Sequence, residues 1–295
     1  MESYTRDNAE YMKNSKTINL NGKLYSFDSP KIMGILNVTP DSFYAESRKQ
    51  TERDITERIE TILREGGEII DIGGYSSRPD AKDVSEEEEI SRLEPALSIL
   101  KRNYPDIPVS VDTFRSKVAR KCVEEYHVSI INDISGGDLD KEMFATVADL
   151  QVPYILMHMR GTPRTMQQQT DYPAGLMEEI MLYFSRKVNQ LHQLGVNDII
   201  LDPGFGFSKT LDQNYQLMNG LQEIATMNLP MLVGISRKSM IYKFLNCSPE
   251  ESLNGTSILN TFALLNGADI LRVHDVQIAK EAVLLTEKLK ATKEC

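Results

Sequence analysis

The feature of this sequence that most constrains its fold is a regular alternation of short apolar runs with longer amphipathic stretches. The short runs are rich in β-branched residues, which is typical of strands buried on both faces of a parallel sheet. There are eight of them, at residues 32–36, 69–72, 109–111, 129–131, 154–157, 199–201, 231–235 and 270–273. Helical patterns lie between them, including residues 53–65, 85–102, 117–125, 175–194, 256–266 and 276–290.

Eight strand–helix units are the number that closes a TIM (β/α)8 barrel. A doubly wound open sheet is the alternative, but the GxGxxG and GxxxxGK[ST] loops common in such sheets do not occur here. We therefore predict an α/β chain with one barrel domain, residues 31–295. Residues 1–30 are predicted to form an N-terminal extension with a β-hairpin that covers the bottom of the barrel, because Asn21-Gly22 is a strong turn signal.

The charge and the termini narrow the class of protein. A formal net charge of −10 argues against nucleic acid or an anionic membrane as a partner, since either would favour a basic surface. No apolar run approaches the roughly 20 residues of a membrane span, and the polar N-terminus lacks the pattern of a signal peptide. Three widely separated cysteines show no metal-ligand spacing. We expect a cytoplasmic protein with reduced cysteines.

Every predicted strand ends in polar residues. In a barrel these ends converge on one rim, where active sites of this fold lie. The residues are Asn37, Asp71, Asp112, Asn132, Asp133, His158, Asp202, Ser236, Arg237, Lys238, Arg272 and His274. Any one of them could simply begin a loop or cap a helix, but eight convergent sets are harder to explain in that way.

The chemistry of these residues suggests two kinds of ligand group. Asp112, Asn132 and Asp202 supply hydrogen-bond acceptors, which suit a heterocycle with several N–H groups. A set of cationic or donor residues suits an anion, above all a phosphate. That set comprises Arg78, Lys238, Arg272 and His274. The residues alone therefore indicate an amide-like ring bound beside a phosphate, and they go no further.

An ordered series of motifs resembles the patterns of the dihydropteroate synthases. The first is MGILNVTPDSF at residues 33–43, and the second is DIGGYSSRP at residues 71–79. Shorter matches follow in the order and spacing of that family, at residues 111–113, 132–137, 156–161, 202–207, 234–239 and 272–275. The resemblance extends from about residue 31 to the C-terminus.

This resemblance implies a barrel enzyme that joins 4-aminobenzoate to a dihydropterin carried as its diphosphate ester. It implies a pterin pocket made of Asp112, Asn132, Met157, Asp202 and Lys238. It implies diphosphate binding by Asn37, Arg78, Arg272 and His274, with Asn37 also placing a Mg2+ ion. On the aminobenzoate side it implies Phe43, Ser77, Pro79, Phe205 and Ser236, with Lys238 shared between the two substrates. The substrates are then small molecules, and a homodimer is a further expectation.

The sequence departs from the family pattern in both loops that would cover the diphosphate. Residues 44–48 read Tyr-Ala-Glu-Ser-Arg where Ser-Asp-Gly-Gly is usual, and Tyr75 stands where glutamate is usual. Two rival functions remain open. One is a pterin-binding methyltransferase domain that acts between methyltetrahydrofolate and a corrinoid, although it has no need of the cationic cluster. The other is a non-catalytic pterin-binding barrel, which only the altered first loop favours.

Overall fold

The first element among the described residues is a β-hairpin. The computed structural model describes residues 16–38, 48–75 and 84–292. Strands β1 (Thr17–Leu20) and β2 (Lys23–Ser26) pair antiparallel. Asn21 and Gly22 connect them with φ angles of 52° and 81°, as a two-residue hairpin turn requires. The predicted hairpin is confirmed, while the domain boundary at residue 30 stays a prediction.

Eight parallel strands follow and form the predicted barrel. Their order in the sheet is β8-β7-β6-β5-β4-β3-β10-β9. The strands are β3 (Lys31–Asn37), β4 (Ile69–Gly73), β5 (Val109–Asp112), β6 (Ile130–Asp133), β7 (Tyr154–Met157), β8 (Ile199–Asp202), β9 (Leu232–Val233) and β10 (Ile270–Val273). The two edge strands approach each other through a parallel bridge between Leu201 and Met231, and the Leu201 N–H donates to the Pro230 carbonyl at 2.8 Å. The sheet thus closes almost completely on itself.

Helices connect the strands and cover the outside of the barrel. They are α1 (Arg48–Arg64), α2 (Glu86–Asn103), α3 (Ser116–Tyr126), α4 (Met143–Leu150), α5 (Leu176–Gln193), α6 (Leu211–Asn219), α7 (Leu221–Ala225), α8 (Ser239–Leu245), α9 (Leu253–Leu265) and α10 (Val276–Ala291). Within the described ranges, none of these helices has the length and apolar character needed to cross a membrane.

The bottom of the barrel interior is filled by apolar side chains from seven strands. This basal cluster contains Met33, Ile69, Ile130, Ile155, Ile200, Leu232 and Ile270, which pack with Ile18, Leu20 and Phe27 of the N-terminal segment. The hairpin therefore covers the N-terminal end of the barrel, as predicted. It is held there by the Lys16–Asp269 ion pair at 2.8 Å and by the Asn19 N–H, which donates to Asp198 at 2.8 Å.

Candidate active site

A layer of polar side chains lies above the basal cluster. Side chains alternate between the two faces of a strand, so the residue two positions after each basal residue also faces the barrel interior. In β4, β6, β8 and β10 these residues are Asp71, Asn132, Asp202 and Arg272, and β5 adds Asp112, which is paired in register with Asn132. We call these five residues the polar layer. It faces the C-terminal end of the barrel, which is the predicted rim.

Arg272 is held by two carboxylates of the polar layer. Its Nε atom lies 2.6 Å from Asp71 Oδ2, and its Nη2 atom lies 3.0 Å from Asp112 Oδ2. Burial lowers the pKa of Arg272, but the charges of Asp71 and Asp112 outweigh it and leave the pKa above its usual value. The guanidinium therefore stays charged, and its orientation across the barrel is fixed.

Asp71 is completely buried, whereas Arg272 and Asp112 retain 20% and 23% of their side-chain exposure. Both oxygens of Asp71 also lie 3.4 Å from the amide nitrogen of Asn132. Asp71 therefore lies beneath the exposed part of the layer and orients two of its members. The sequence marks Asp71 as a polar strand residue, but the resemblance gives it no role.

The pKa of Asp112 is shifted close to neutral pH, so both its protonated and its ionised forms are accessible. Burial raises its pKa to about 7, the charge of Arg272 opposes this rise, and the charge of Asp71 adds to it. A carboxyl group in this position accepts hydrogen bonds when it is ionised and can donate one when it is protonated.

Lys238 lies between the polar layer and the loop that follows β8. Its amino group donates to the Phe205 carbonyl at 2.5 Å and lies 4.7 Å from the centroid of the Phe207 ring. Burial lowers the pKa of Lys238 to about 8, and the charge of Asp202 opposes this. Burial likewise raises the pKa of Asp202, against the charge of Lys238. The pair thus places a cation and an acceptor side by side at the mouth.

His274 and Ser236 lie next to each other beyond the strand ends. The backbone N–H of His274 donates to Ser236 Oγ at 3.2 Å, and the His274 carbonyl accepts from Arg58 at 2.8 Å. Burial, with the charge of Arg272, lowers the pKa of His274 to about 4. The imidazole is therefore neutral near neutral pH, and it lies close to the permanent cation Arg272.

A small apolar wall adjoins the polar layer. Met157 is buried against Ile134, Met159 and Met166, and the partly buried rings of Phe114 and Phe207 pack on this group. Met157 faces the interior two positions after the basal residue Ile155. Hydrogen-bonding groups beside a polarizable apolar wall suit a flat, polar heterocycle.

Comparison with known proteins identifies the family. The sequence profile of the pterin binding enzymes matches residues 33–274. The chain is 42% identical over 261 residues to the dihydropteroate synthase of Synechocystis, covering 88% of this chain and 89% of that protein. The chain belongs to the pterin-binding enzymes, among the dihydropteroate synthases. It also matches two longer fungal folic acid synthesis proteins, of which it covers 38% and 35%.

Solved structures of the family share the fold. The dihydropteroate synthase of Xanthomonas albilineans with 4-aminobenzoic acid superposes with a TM-score of 0.85 at 32% identity, covering 94% of this chain and 99% of that chain. That of Yersinia pestis in a sulfonamide drug complex gives 0.85 at 36% identity, with the same coverage of both chains. The fold and the family predicted from the sequence are confirmed.

The structure brings most of the predicted site residues together at the mouth of the barrel. The group consists of Asp112, Asn132, Met157, Asp202, Ser236, Lys238, Arg272 and His274. Asn37 is exposed at the end of β3, on the strand between β4 and β10. Four predicted residues, namely Phe43, Ser77, Arg78 and Pro79, lie outside the described residues.

The prediction for Phe205 needs a correction. Its side chain has no exposed surface and belongs to the main core between the barrel and the helices, so its ring is not available to a ligand near the surface. Phe207, two positions later, is partly exposed and lies against Lys238. What Phe205 offers to the mouth is its backbone carbonyl, which accepts from Lys238.

Two other polar strand ends do not face the barrel interior. Asp133 and His158 each follow an inward-facing residue and therefore point outward. Asp133 is fully buried and accepts from the Tyr154 hydroxyl at 2.7 Å and from Ser135. His158 packs edge-on against Tyr183, with ring centroids 4.9 Å apart. The predicted convergence at the rim thus holds only for those residues whose position in the strand alternation points inward.

Proposed function

We propose that this chain joins (7,8-dihydropterin-6-yl)methyl diphosphate to 4-aminobenzoate, giving 7,8-dihydropteroate and diphosphate in folate biosynthesis. The observation that carries the proposal is the pairing, in one barrel mouth, of buried acceptors with a fixed guanidinium. Asp112, Asn132 and Asp202 lie on the same layer as Arg272. Membership of the dihydropteroate synthases supports the same reaction.

The pterin ring is proposed to lie over the polar layer. Asp112 and Asp202 would accept from its N–H groups, and Asn132, 3% exposed, can both donate and accept. Met157 would pack against the ring face from the apolar wall. Because each of these buried groups needs a polar partner, a ligand without matching N–H groups would bind much less tightly.

The diphosphate is proposed to lie towards Arg272 and His274. Arginine matches phosphate geometry with parallel N–H groups, and its charge stays fixed here. The neutral His274 would gain a proton more readily once an anion lies beside it, because a nearby negative charge raises a histidine pKa. Arg78 completes this set by resemblance alone, since it lies outside the described residues.

The 4-aminobenzoate is proposed to lie nearer the surface, between Phe207 and Ser236. Phe207 offers a partly exposed ring, and Ser236 offers a hydroxyl to the carboxylate. Lys238 lies against the Phe207 ring and near Asp202, so it is suited to contact both substrates. Phe43, Ser77 and Pro79 remain expectations from the family pattern.

The proposed reaction exchanges one bond for another at the pterin methylene carbon. The amino nitrogen bonds to this carbon as the carbon–oxygen bond to diphosphate breaks, and the nitrogen then releases a proton to solvent. Arg272 and His274 would stabilise the negative charge on the departing oxygen, and Asp112 and Asp202 would stabilise positive character on the ring. The arylamine is neutral with a free lone pair, so positioning in line is the remaining requirement.

Asn37 fits a Mg2+ site that is completed by the substrate. It presents an amide oxygen at the exposed end of β3, and Mg2+ prefers oxygen ligands while keeping several waters and substrate phosphates. Among the described residues, no group of three acidic, histidine or cysteine side chains could hold a metal by itself. Bound there, Mg2+ would neutralise charge on the diphosphate.

Turnover with omission controls tests this function. Purified protein, the pterin diphosphate, 4-aminobenzoate and Mg2+ should give dihydropteroate and diphosphate in equal amounts. Leaving out either substrate, or adding excess chelator, should abolish both products. Release of diphosphate without dihydropteroate would contradict the proposal, and turnover that persists with chelator would contradict the role of Mg2+.

We also propose that the chain forms a homodimer through α9 and α10. These helices pack together, with the Lys290 amino group donating to the Leu264 carbonyl at 2.9 Å. The two helices carry several exposed apolar side chains, namely Ile258, Phe262, Leu265, Leu285 and Leu289. Apolar patches of this kind mark protein interfaces.

A cytoplasmic location is proposed too, because Cys122 and Cys247 are free thiols.

Sedimentation analysis tests the homodimer. The wild-type protein should sediment as a dimer, and Leu285→Lys should shift it towards a monomer because it places a charge in the apolar face. Leu24→Lys is the matched control, since Leu24 is 78% exposed on the hairpin at the other end of the chain. A wild-type protein that is monomeric at all concentrations would rule out the dimer.

A further inference from the structure

Lys209 is a buried cation that the proposed reaction does not use. Only 3% of this residue is exposed. Its amino group donates to the carbonyls of Gly204 and Phe207, at 2.9 Å each, and lies 3.1 Å from His158 Nδ1. A lysine ammonium has three N–H donors and no acceptor, so these three acceptors satisfy it completely when it is charged.

His158 is suited to the role of third acceptor. Burial, together with the charge of Lys209, lowers its pKa well below the usual value, so the ring is neutral. If Nδ1 accepts from Lys209, the ring proton is on Nε2. Burial also lowers the pKa of Lys209 to about 7, and the charge of Asp202 opposes this. Loss of one proton from the Lys209 ammonium would leave one of its three acceptors without a donor.

The loop held by Lys209 connects two groups of the proposed site. At its start, the Gly204 N–H donates to Asp202 Oδ1 at 2.8 Å. Gly204 has a φ of 72°, and a Cβ atom there would lie 2.1 Å from the His158 carbonyl oxygen, so the loop passes directly against β7. Further along the loop, the Phe205 carbonyl and the Phe207 ring both contact Lys238.

We infer that Lys209 and His158 form a positioning pair that fixes the 204–207 loop and thereby shapes the aminobenzoate side of the site. Lys209 bonds to the first and last residues of this loop, and His158 anchors Lys209 to the end of β7. The pair acts through the loop, because His158 points outward from the barrel and the Lys209 amino group is bonded to two loop carbonyls and to His158. The inference rests on the proposed function for the identity of the ligand.

The positioning pair should affect the binding of the two substrates differently. Of the proposed pterin acceptors, Asp202 accepts from the loop through the Gly204 N–H, whereas Asp112 and Asn132 are bonded to Arg272 and Asp71 within the polar layer. Pterin diphosphate binding should therefore depend less on the pair than aminobenzoate binding does. The aminobenzoate side should depend on it, because the Phe207 ring and Lys238 are positioned through the loop. A purely structural role would lower stability without this selectivity.

Kinetics of Lys209→Met, His158→Leu and His158→Gln test the inference. His158→Gln is the conservative variant, because its amide oxygen can still accept from Lys209. In the first two variants the KM for 4-aminobenzoate should rise about tenfold, as expected for losing a hydrogen bond to a charged group. The Kd of the pterin diphosphate, measured without aminobenzoate, should change by a smaller factor than this KM, and His158→Gln should recover most of the aminobenzoate KM.

The outcomes are distinguishable. Thermal unfolding identifies any variant that fails to fold, and the His158 variants then carry the test in place of Lys209→Met. Folded variants with an unchanged aminobenzoate KM, or with an equal loss of affinity for both substrates, would overturn the positioning role. Wild-type protein without turnover in the same assay would instead refute the proposed function.

Discussion

Replacing Asp71 with asparagine removes one of the two carboxylates that hold Arg272 while keeping the shape of the side chain. Asp71 is completely buried and accepts from Arg272 Nε at 2.6 Å. Hydrogen bonds to charged groups contribute about 1.5–3 kcal/mol. Asp112 still holds the other side of the guanidinium at 3.0 Å, so Arg272 would be loosened without losing all its partners.

If that energy supports the transition state, kcat/KM for the pterin diphosphate should fall roughly 10- to 150-fold in Asp71→Asn. The pH profile should change as well, because the charge of Asp71 helps to raise the pKa of Asp112 to about 7. Activity that needs ionised Asp112 rises as pH increases through this pKa. The acid limb of kcat/KM, which reports the free enzyme, should therefore move to lower pH in the variant.

Steady-state kinetics between pH 5 and pH 9 measure both effects. Asp269→Asn is the matched control, because Asp269 also forms an ion pair, with Lys16 at 2.8 Å, and a backbone hydrogen bond, but at the opposite end of the barrel. It should lower stability while leaving kcat/KM and the acid limb unchanged. A folded Asp71→Asn protein with wild-type kcat/KM and an unmoved acid limb would refute the role assigned to Asp71.

Three further predictions concern other parts of the molecule. Calorimetry in buffers of different ionisation enthalpy should detect proton uptake when the pterin diphosphate binds, because the anion raises the pKa of His274 from about 4. The His274→Gln variant should take up fewer protons on binding, and uptake equal to that of the wild-type protein would contradict protonation of His274. Lys238→Met should lower kcat/KM for both substrates by roughly 10- to 100-fold in steady-state assays, since Lys238 lies between Asp202 and the Phe207 ring. Unchanged kcat/KM for both substrates would exclude its shared role. Ile18→Ala should lower the free energy of unfolding by about 2–4 kcal/mol in denaturant titrations and leave turnover unchanged, because Ile18 is buried in the basal cluster. The exposed control Leu24→Ala should lower it by under about 0.5 kcal/mol, and equal losses in the two variants would contradict the packing role of Ile18.

The strands were predictable because each is a short, largely buried run of apolar residues between longer amphipathic stretches. The exception in length is β9, predicted at 231–235 and observed at Leu232–Val233. Ile235 already belongs to a turn, since its carbonyl accepts from the Lys238 N–H at 3.0 Å. Helices α4, α6, α7 and α8 were not predicted, because their lengths of 5 to 9 residues give too little periodicity to recognise.

The composition of the site was predictable, but its internal contacts were not. Alternation along a strand places Asp112, Asn132 and Asp202 at one mouth, and this follows from local sequence. It does not extend into the loop after Gly204, so the sequence could not tell whether Phe205 or Phe207 faces the ligand. Contacts such as that between Arg272 and Asp71, which are 201 residues apart, depend on barrel closure.

A crystal structure of the protein with the pterin diphosphate would show where the pterin substrate binds. We predict that the ring lies within hydrogen-bonding distance of Asp112, Asn132 and Asp202, with the diphosphate directed towards Arg272 and His274. A ring bound elsewhere, or a diphosphate directed away from Arg272, would contradict the proposed substrate site.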